Sequence, residues 1–207
     1  MKLAKRAITV SICFLLIFCS LLLASCSSKA PELYEVKDRF VYLIEQSAEL
    51  NVLFFGKGLP VYQRENKLTL RRGIYYTDTL NAYNSVRENS KYASVADIKE
   101  AAEKIYSAKY LEQIYESAID GVVTGNGSAY LRFYENEDWL YQNINATDFG
   151  LSQRIYDYSS MKILDISDEQ NVTVTVDSYT LSDPKIREVK LSFVYENGNW
   201  YLDGPTY

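Results

Sequence analysis

The hydrophobic residues of this chain change their spacing about halfway along it. In "LYEVKDRFVYLIEQSAEL", which follows Glu32, apolar side chains recur every three or four residues, whereas "NVTVTV" and "VKLSFVY" alternate apolar and polar residues. The first spacing predicts an amphipathic helix that runs to about Leu50, and the second predicts half-buried antiparallel strands. The two periods, about 3.6 and 2 residues, are not interchangeable. The order of the two patterns therefore predicts helices first and a sheet second.

Two more helices are predicted between these regions. Ser94 can cap one helix, with Asp97 in the capping-box position, and Ser107 can cap the next, which should end at Asp120-Gly121. Residues 52–93 combine short strand-like pieces with Gly and Pro breaks, and no regular element is predicted there.

The clearest strand signal is "VYENGNWYLD" near the end of the chain. Asn197-Gly198 is a preferred pair for a two-residue type I′ hairpin loop. Such a loop sets the opposing pairs as Glu196 with Asn199, Tyr195 with Trp200 and Phe193 with Leu202. We therefore expect an α+β fold, with the N-terminal helices packed on one face of a twisted antiparallel sheet, in a single domain spanning residues 31–207.

The N-terminus has the pattern of an export signal. Lys2, Lys5 and Arg6 precede an uncharged stretch at residues 7–24, and "LASC" at its end resembles the lipobox of bacterial lipoproteins. We expect residues 1–25 to be a cleaved signal peptide, Cys26 to be acylated, and residues 26–30 to tether the domain to the extracytoplasmic face of the membrane. The alternative is an uncleaved anchor helix.

The charge balance narrows the choice of partners. The whole chain has 22 basic and 27 acidic residues, and cleavage of the leader removes three basic residues and no acidic one, which leaves a net charge of −8. Nucleic acid is therefore not expected as a partner, and acyl chains on Cys26 rather than a basic patch must hold the protein at the membrane.

The chain contains no histidine, and its other cysteines, Cys13 and Cys19, lie within the leader. Ser-His-Asp and Cys-His catalysis and zinc sites built from His and Cys are thereby excluded. We expect no metal and no cofactor. The remaining possibilities are catalysis by a serine–lysine pair, catalysis by paired carboxylates, or no catalysis.

Two patterns are candidates for catalysis. Ser159 and Lys162 match the Ser-x-x-Lys pair of penicillin-recognising enzymes, but their strand-like surroundings favour an exposed strand edge. Two carboxylate groups could cleave a glycoside, although both lie where turns are expected. One group contains Glu135, Glu137 and Asp138, and the other contains Asp165, Asp168 and Glu169.

The chain is rich in tyrosine, with 19 residues of this type. Tyrosine suits a surface that is both apolar and hydrated, and loops often carry binding function. Five tyrosines in the irregular segment form a candidate binding surface: Tyr62, Tyr75, Tyr76, Tyr83 and Tyr92. The alternative is that they fill the core.

The lipobox leader, the first helix, the "SVADIKEAAEKIYSAKYLEQIYE" helix pair and the "VKLSFVYENGNWYLDGPTY" hairpin together resemble small Gram-positive lipoproteins with a cystatin-like or nuclear-transport-factor-like fold. Among these, the layout is similar to that of inhibitors of cell-wall DL-endopeptidases. The resemblance implies a non-enzymatic binding module that restrains a peptidoglycan hydrolase. A carboxylate enzyme acting on cell-wall glycan and a small-ligand carrier are the alternatives.

Overall fold

The computed structural model describes residues 31–62, 67–68, 83–123, 129–136, 139–144, 151–168 and 170–207. The predicted signal peptide and the tether, with Cys26, lie outside these residues. No helix in the described part combines the length and the apolar character that a bilayer crossing needs. Residues Glu32–Tyr207 cluster as one compact unit.

The first predicted helix is confirmed as α1 (Leu33–Phe55). At its start, the carboxylate of Glu35 accepts a hydrogen bond from the backbone N–H of Glu32 at 2.8 Å, which satisfies one of the free helix-end donors. The helix continues past Leu50 because its apolar stripe continues as far as Phe54.

The C-terminal end of α1 is held by side chains from distant segments. The buried guanidinium of Arg132 donates to the carbonyl of Leu53 at 2.6 Å and also to the carbonyl of Gly56. A cation at this position faces the negative end of the helix dipole. Gln142 packs against Gly58, whose φ is +73°, and a Cβ there would lie 2.1 Å from the Gln142 Oε1. Only glycine satisfies both the backbone angle and this close approach.

The helix pair is also confirmed, as α2 (Val95–Glu103) and α3 (Ala108–Tyr115). The backbone N–H of Asp97 donates to Ser94 Oγ, and the Ser94 N–H donates to the Asp97 carboxylate, each at 3.0 Å. Ser107 caps α3 in the expected way. The Asp97 carboxylate also accepts a hydrogen bond from the Ala93 N–H at 2.9 Å, and this bond is the largest cause of the lowered pKa of Asp97.

The helix that follows Ser107 ends in an irregular turn. A π-helical segment, Glu116–Asp120, continues α3, and Gly121 follows with a φ of +84°. The predicted stop at Asp120-Gly121 is thus in place, although the last turn is wider than an α-helix.

The described strands form more than the one sheet that the sequence predicts. They pair in the orders β1-β2-β6-β5 and β10-β9-β8-β7, with a separate β3-β4 pair, and every pairing is antiparallel. The α+β class is confirmed. The strands are β1 (Lys67–Leu68), β2 (Tyr83–Ser85), β3 (Val122–Val123), β4 (Ala129–Tyr130), β5 (Phe133–Glu135), β6 (Leu140–Asn143), β7 (Arg154–Asp168), β8 (Asn171–Thr180), β9 (Arg187–Glu196) and β10 (Asn199–Leu202).

The sheet of strands β7 to β10, here called the C-terminal sheet, has the predicted hairpin at one edge. Asn197 and Gly198 both have positive φ, as a type I′ loop requires, and the three predicted cross-strand pairs are observed. One face of this sheet packs on α1, where the rings of Phe40 and Phe193 stack with centroids 3.8 Å apart. Trp200 meets the edge of Phe40 at 5.4 Å. This contact forms the centre of the core.

A buried hydrogen-bond network ties the C-terminal residues to α1. Tyr106 OH donates to Asn51 Oδ1 at 2.9 Å, and Asn51 Nδ2 donates to Thr206 Oγ1 at 2.8 Å. Thr206 Oγ1 lies 2.6 Å from Ser47 Oγ, which itself donates to the carbonyl of Ile44. Because the Ser47 proton is used there, Thr206 is the donor to Ser47. Each hydroxyl and amide in this chain of bonds therefore has a partner.

Candidate functional site

The Ser-x-x-Lys motif lies in a bulge of β7. Asp157 and Lys162 are paired with positions only two residues apart on β8, so residues 158–161 face Val176 alone. Such a bulge bends its strand and re-aims side chains. The motif is therefore on a strand, as the sequence predicts, and not at the start of a helix.

The two serines of this bulge form local hydrogen bonds. Ser160 Oγ donates to the carbonyl of Asp157 and accepts from the N–H of Asp177, both at 2.7 Å, and so replaces a missing rung between the strands. Ser159 Oγ donates to the carboxylate of Asp157 at 2.6 Å. The motif thus has a structural role in the bulge.

Two of the carboxylates considered for glycoside cleavage, Glu135 and Asp168, accept hydrogen bonds within the fold. Glu135 accepts a hydrogen bond from the N–H of Val95 at 2.9 Å, at the start of α2. Asp168 accepts from the Gln170 N–H and from the Asn171 amide, and these bonds lower its pKa. A carboxyl group that acts as the general acid needs a pKa raised towards neutral pH, so that it still carries the proton that it donates. Glu137, Asp138 and Glu169 lie outside the described residues, and within them no group of three or more His, Cys, Asp or Glu side chains could hold a metal ion.

The three candidate tyrosines that the structure describes, Tyr62, Tyr83 and Tyr92, do not form one exposed surface. Tyr83 and Tyr92 are buried, at 1% and 5% exposure. Tyr83 OH donates to the carbonyl of Leu131 within the core, whereas Tyr92 OH donates to the carboxylate of Glu49, which is exposed at the surface. These two side chains therefore belong to the core, the alternative that the sequence leaves open.

Tyr62 alone of the described candidates is exposed, and the guanidinium of Arg87 lies 5.9 Å from its ring centroid. Tyr75 and Tyr76 lie outside the described residues.

The most exposed aliphatic side chains of the described residues lie instead at one end of the C-terminal sheet. Leu181 is 86% and Ile186 68% exposed, in the loop that joins β8 to β9. Ile155 and Tyr179 form the next cross-strand pair, and both are also exposed. We call Ile155, Tyr179 and the loop 181–186 the apolar hairpin tip.

The loop of this tip is ordered by its own hydrogen bonds. The N–H of Thr180 donates to the carbonyl of Asp183 at 3.1 Å, and the Asp183 N–H donates back to Thr180 Oγ1 at 3.0 Å. Arg187 donates to the Asp183 carboxylate at 2.7 Å, and Lys185 N–H donates to the same group. The bond from Arg187 is the largest cause of the lowered pKa of Asp183. The loop therefore presents its apolar side chains on a pre-formed backbone.

A row of carboxylates crosses the same end of the sheet. Asp157 is paired with Asp177, and Asp177 with Glu188, so three acidic side chains lie on the face opposite α1, one step from Ile155 and Tyr179. Like charges placed directly opposite each other on neighbouring strands are destabilising. Lys162 and Lys190 are both paired with Thr175 in the next row of the same face, so this end of the sheet carries charges of both signs beside the apolar tip.

The sequence does carry a signal for the tip. In "TLSDPKI", two aliphatic residues flank a Ser-Asp-Pro turn signal, outside the alternating pattern of either strand. Apolar residues within a turn have no core face to join, so their position indicates exposure.

A comparison with models of known protein families found no match, and a search of curated proteins found no significant relative.

Proposed function

We propose that this chain is a lipid-anchored, extracytoplasmic binding module that restrains a cell-wall hydrolase by docking through the apolar hairpin tip. The observation that carries the proposal is the exposure of Leu181 and Ile186 on a loop that is already ordered. Burial of such side chains in a partner contributes about 1.5–3 kcal/mol each. A pre-ordered loop loses little conformational entropy on binding, so more of this contribution remains as affinity.

The class of partner comes from two considerations. The layout resemblance to inhibitors of DL-endopeptidases suggests a peptidoglycan hydrolase. The net charge of −8 after leader cleavage favours a partner whose surface carries basic residues around an apolar cleft.

The anchor is part of the proposal. Acylation of Cys26 would hold the folded unit close to the extracytoplasmic face of the cell membrane, since two or three acyl chains give stable attachment. The Cys26→Ala variant should move from the membrane to the soluble fraction. Cys19→Ala, a cysteine change inside the leader, is the matched control and should remain with the membrane. If Cys26→Ala stays membrane-bound like the control, the lipid anchor is wrong.

The two alternative functions have less physical support. For a glycan-cleaving enzyme, the pKa of Asp168 is lowered, opposite to the shift of a general acid. For a small-ligand carrier, the face of the C-terminal sheet that would line a cavity is filled by α1, with Phe40 stacked on Phe193.

Inhibition of a purified DL-endopeptidase tests the proposal. The full chain, kept in detergent micelles, should reduce cleavage of a synthetic D-glutamyl peptide in a dose-dependent way. Leu181→Ser and Ile186→Ser should each weaken inhibition by at least tenfold, in line with the loss of about 1.5–3 kcal/mol of apolar burial. Leu164→Ser is the control, because Leu164 is 51% exposed on β7 but lies away from the tip.

Two results would count against the proposal. If the wild-type chain leaves cleavage unchanged at concentrations far above that of the enzyme, it does not restrain this class of hydrolase. If the Leu164 variant is weakened as much as the Leu181 variant, inhibition does not pass through the tip.

A further inference from the structure

A second feature, remote from the apolar hairpin tip, is a surface groove of about 480 Å³ between α3 and the β9–β10 hairpin. Its floor is apolar and aromatic, formed by Ala108, Leu111, Tyr115 and Tyr201. Leu111 is almost fully buried, so the floor is continuous with the core. We call this feature the α3 groove.

The rim of the α3 groove is acidic. Glu103, Glu112 and Glu196 line it together with Asp120, and no lysine or arginine is among the lining residues. The ion pairs found among the described residues involve other carboxylates. The groove therefore pairs an apolar floor with an acidic rim, in which Glu196 also accepts a hydrogen bond from the N–H of Ala108 at 3.5 Å.

One wall of the groove already receives an ammonium group from outside. The Nζ of Lys99, which does not line the groove, lies 4.9 Å from the centroid of the Tyr115 ring. This distance is within the range of a cation–π contact. The Tyr115 ring is thus a surface against which a primary ammonium can rest. Lys109, which also lies on α3, is directed to Asp203, with its Nζ 3.6 Å from the Asp203 Oδ2.

We propose that the α3 groove binds an aliphatic primary ammonium ion, the chemistry of a free diamine or polyamine. The methylene chain would cover Leu111 and Tyr201, and the ammonium groups would meet the glutamates at the rim. An anion would be repelled by the same rim. A small metal ion is a poor fit, because no metal-binding group of three or more carboxylates is found within the described residues.

Titration calorimetry with cadaverine (1,5-diaminopentane) tests this assignment on the full chain in detergent micelles. We expect saturable binding with one site, and at least tenfold weaker binding of 1,5-pentanediol, which has the same length but no charge. Glu112→Gln and Glu196→Gln should each weaken binding about two- to fivefold, the range for one exposed ion pair. These changes are isosteric and lie at the surface, so the fold should be unaffected.

The control variant is Glu188→Gln, which removes the same charge from the C-terminal sheet, away from the groove. It should leave cadaverine binding unchanged. Nuclear magnetic resonance shifts should move at the amides of Leu111, Tyr115 and Tyr201 and not at the apolar hairpin tip.

Several outcomes would overturn the proposal. Equal binding of pentanediol would mean that only the apolar floor matters, and equal weakening by Glu188→Gln would mean that net charge alone attracts the amine. If Nα-acetyl-lysine amide, which keeps the side-chain ammonium, binds and cadaverine does not, the groove takes a lysine side chain of a protein and not a free diamine. Because none of these measurements uses a hydrolase or the tip, the outcome is independent of the proposed function.

Discussion

Replacement of Thr206 by valine should destabilise the folded unit much more than its position next to the C-terminus suggests. Thr206 Oγ1 accepts from Asn51 Nδ2 at 2.8 Å and donates to Ser47 Oγ at 2.6 Å, and all three residues are buried. Valine has nearly the same shape but no hydroxyl. The change therefore leaves one amide hydrogen and one oxygen lone pair without partners in the core.

The size of the effect follows from these two orphaned groups. A buried polar group without a partner costs about 1–3 kcal/mol, and Ser47 keeps its bond to the carbonyl of Ile44, so its share is the smaller. We expect the free energy of unfolding to fall by about 2–4 kcal/mol. For a unit of this size, that corresponds to a melting temperature about 6–12 °C lower.

Urea unfolding followed by tryptophan fluorescence measures the change, with Thr206→Ser as the matched control. Serine keeps the hydroxyl and removes one methyl group, which should cost only about 0.8 kcal/mol. If Thr206→Val and Thr206→Ser are equally destabilised, the network contributes no more than packing, and the account of how the chain end is held is refuted.

Three further predictions concern other parts of the fold. Ser160→Ala should lower the free energy of unfolding by about 1–2 kcal/mol in urea titrations, because it removes both bulge bonds, whereas Ser159→Ala should have a much smaller effect; the reverse order would contradict the assigned roles. Arg132→Met should cost about 2–4 kcal/mol by the same assay, since it frees two buried carbonyls at the end of α1, and an unchanged stability would show that the guanidinium is not needed there. The lowered pKa of Asp97 means that its capping bonds stabilise the fold above its ordinary pKa of 3.8 and are lost as the pH falls through the lower folded value. Urea midpoints from pH 6 to 2 should therefore fall less steeply for Asp97→Asn than for the wild type, and parallel curves would contradict the cap.

The parts of the fold that the sequence predicts are those fixed by near neighbours. Ser94 and Asp97 are three residues apart, and the Asn197-Gly198 loop fixes the register of Tyr195 with Trp200. Such features need only local backbone geometry. They could be predicted without knowledge of the rest of the chain.

The division into two sheets could not be predicted in this way. Strands β2, β5 and β6 have three or four residues each, too few to show a period, and β2 finds its partner β6 more than 50 positions along the chain. The burial of Tyr83 also depends on distant contacts, since its hydroxyl needs the carbonyl of Leu131. Tyrosine is compatible with core and surface alike, so its type does not decide between them.

Site-specific photo-crosslinking in cells shows whether a hydrolase contacts the apolar hairpin tip. A photoreactive residue is placed at Leu181 in the apolar hairpin tip, or at Leu164 as the exposed control on β7, in the cells that make the protein. We expect an adduct with a peptidoglycan hydrolase from position 181 and none from position 164. The adduct from position 181 should be lost when Ile186→Ser is introduced as well. A hydrolase adduct of equal yield from both positions, or none from position 181, would contradict docking through the tip.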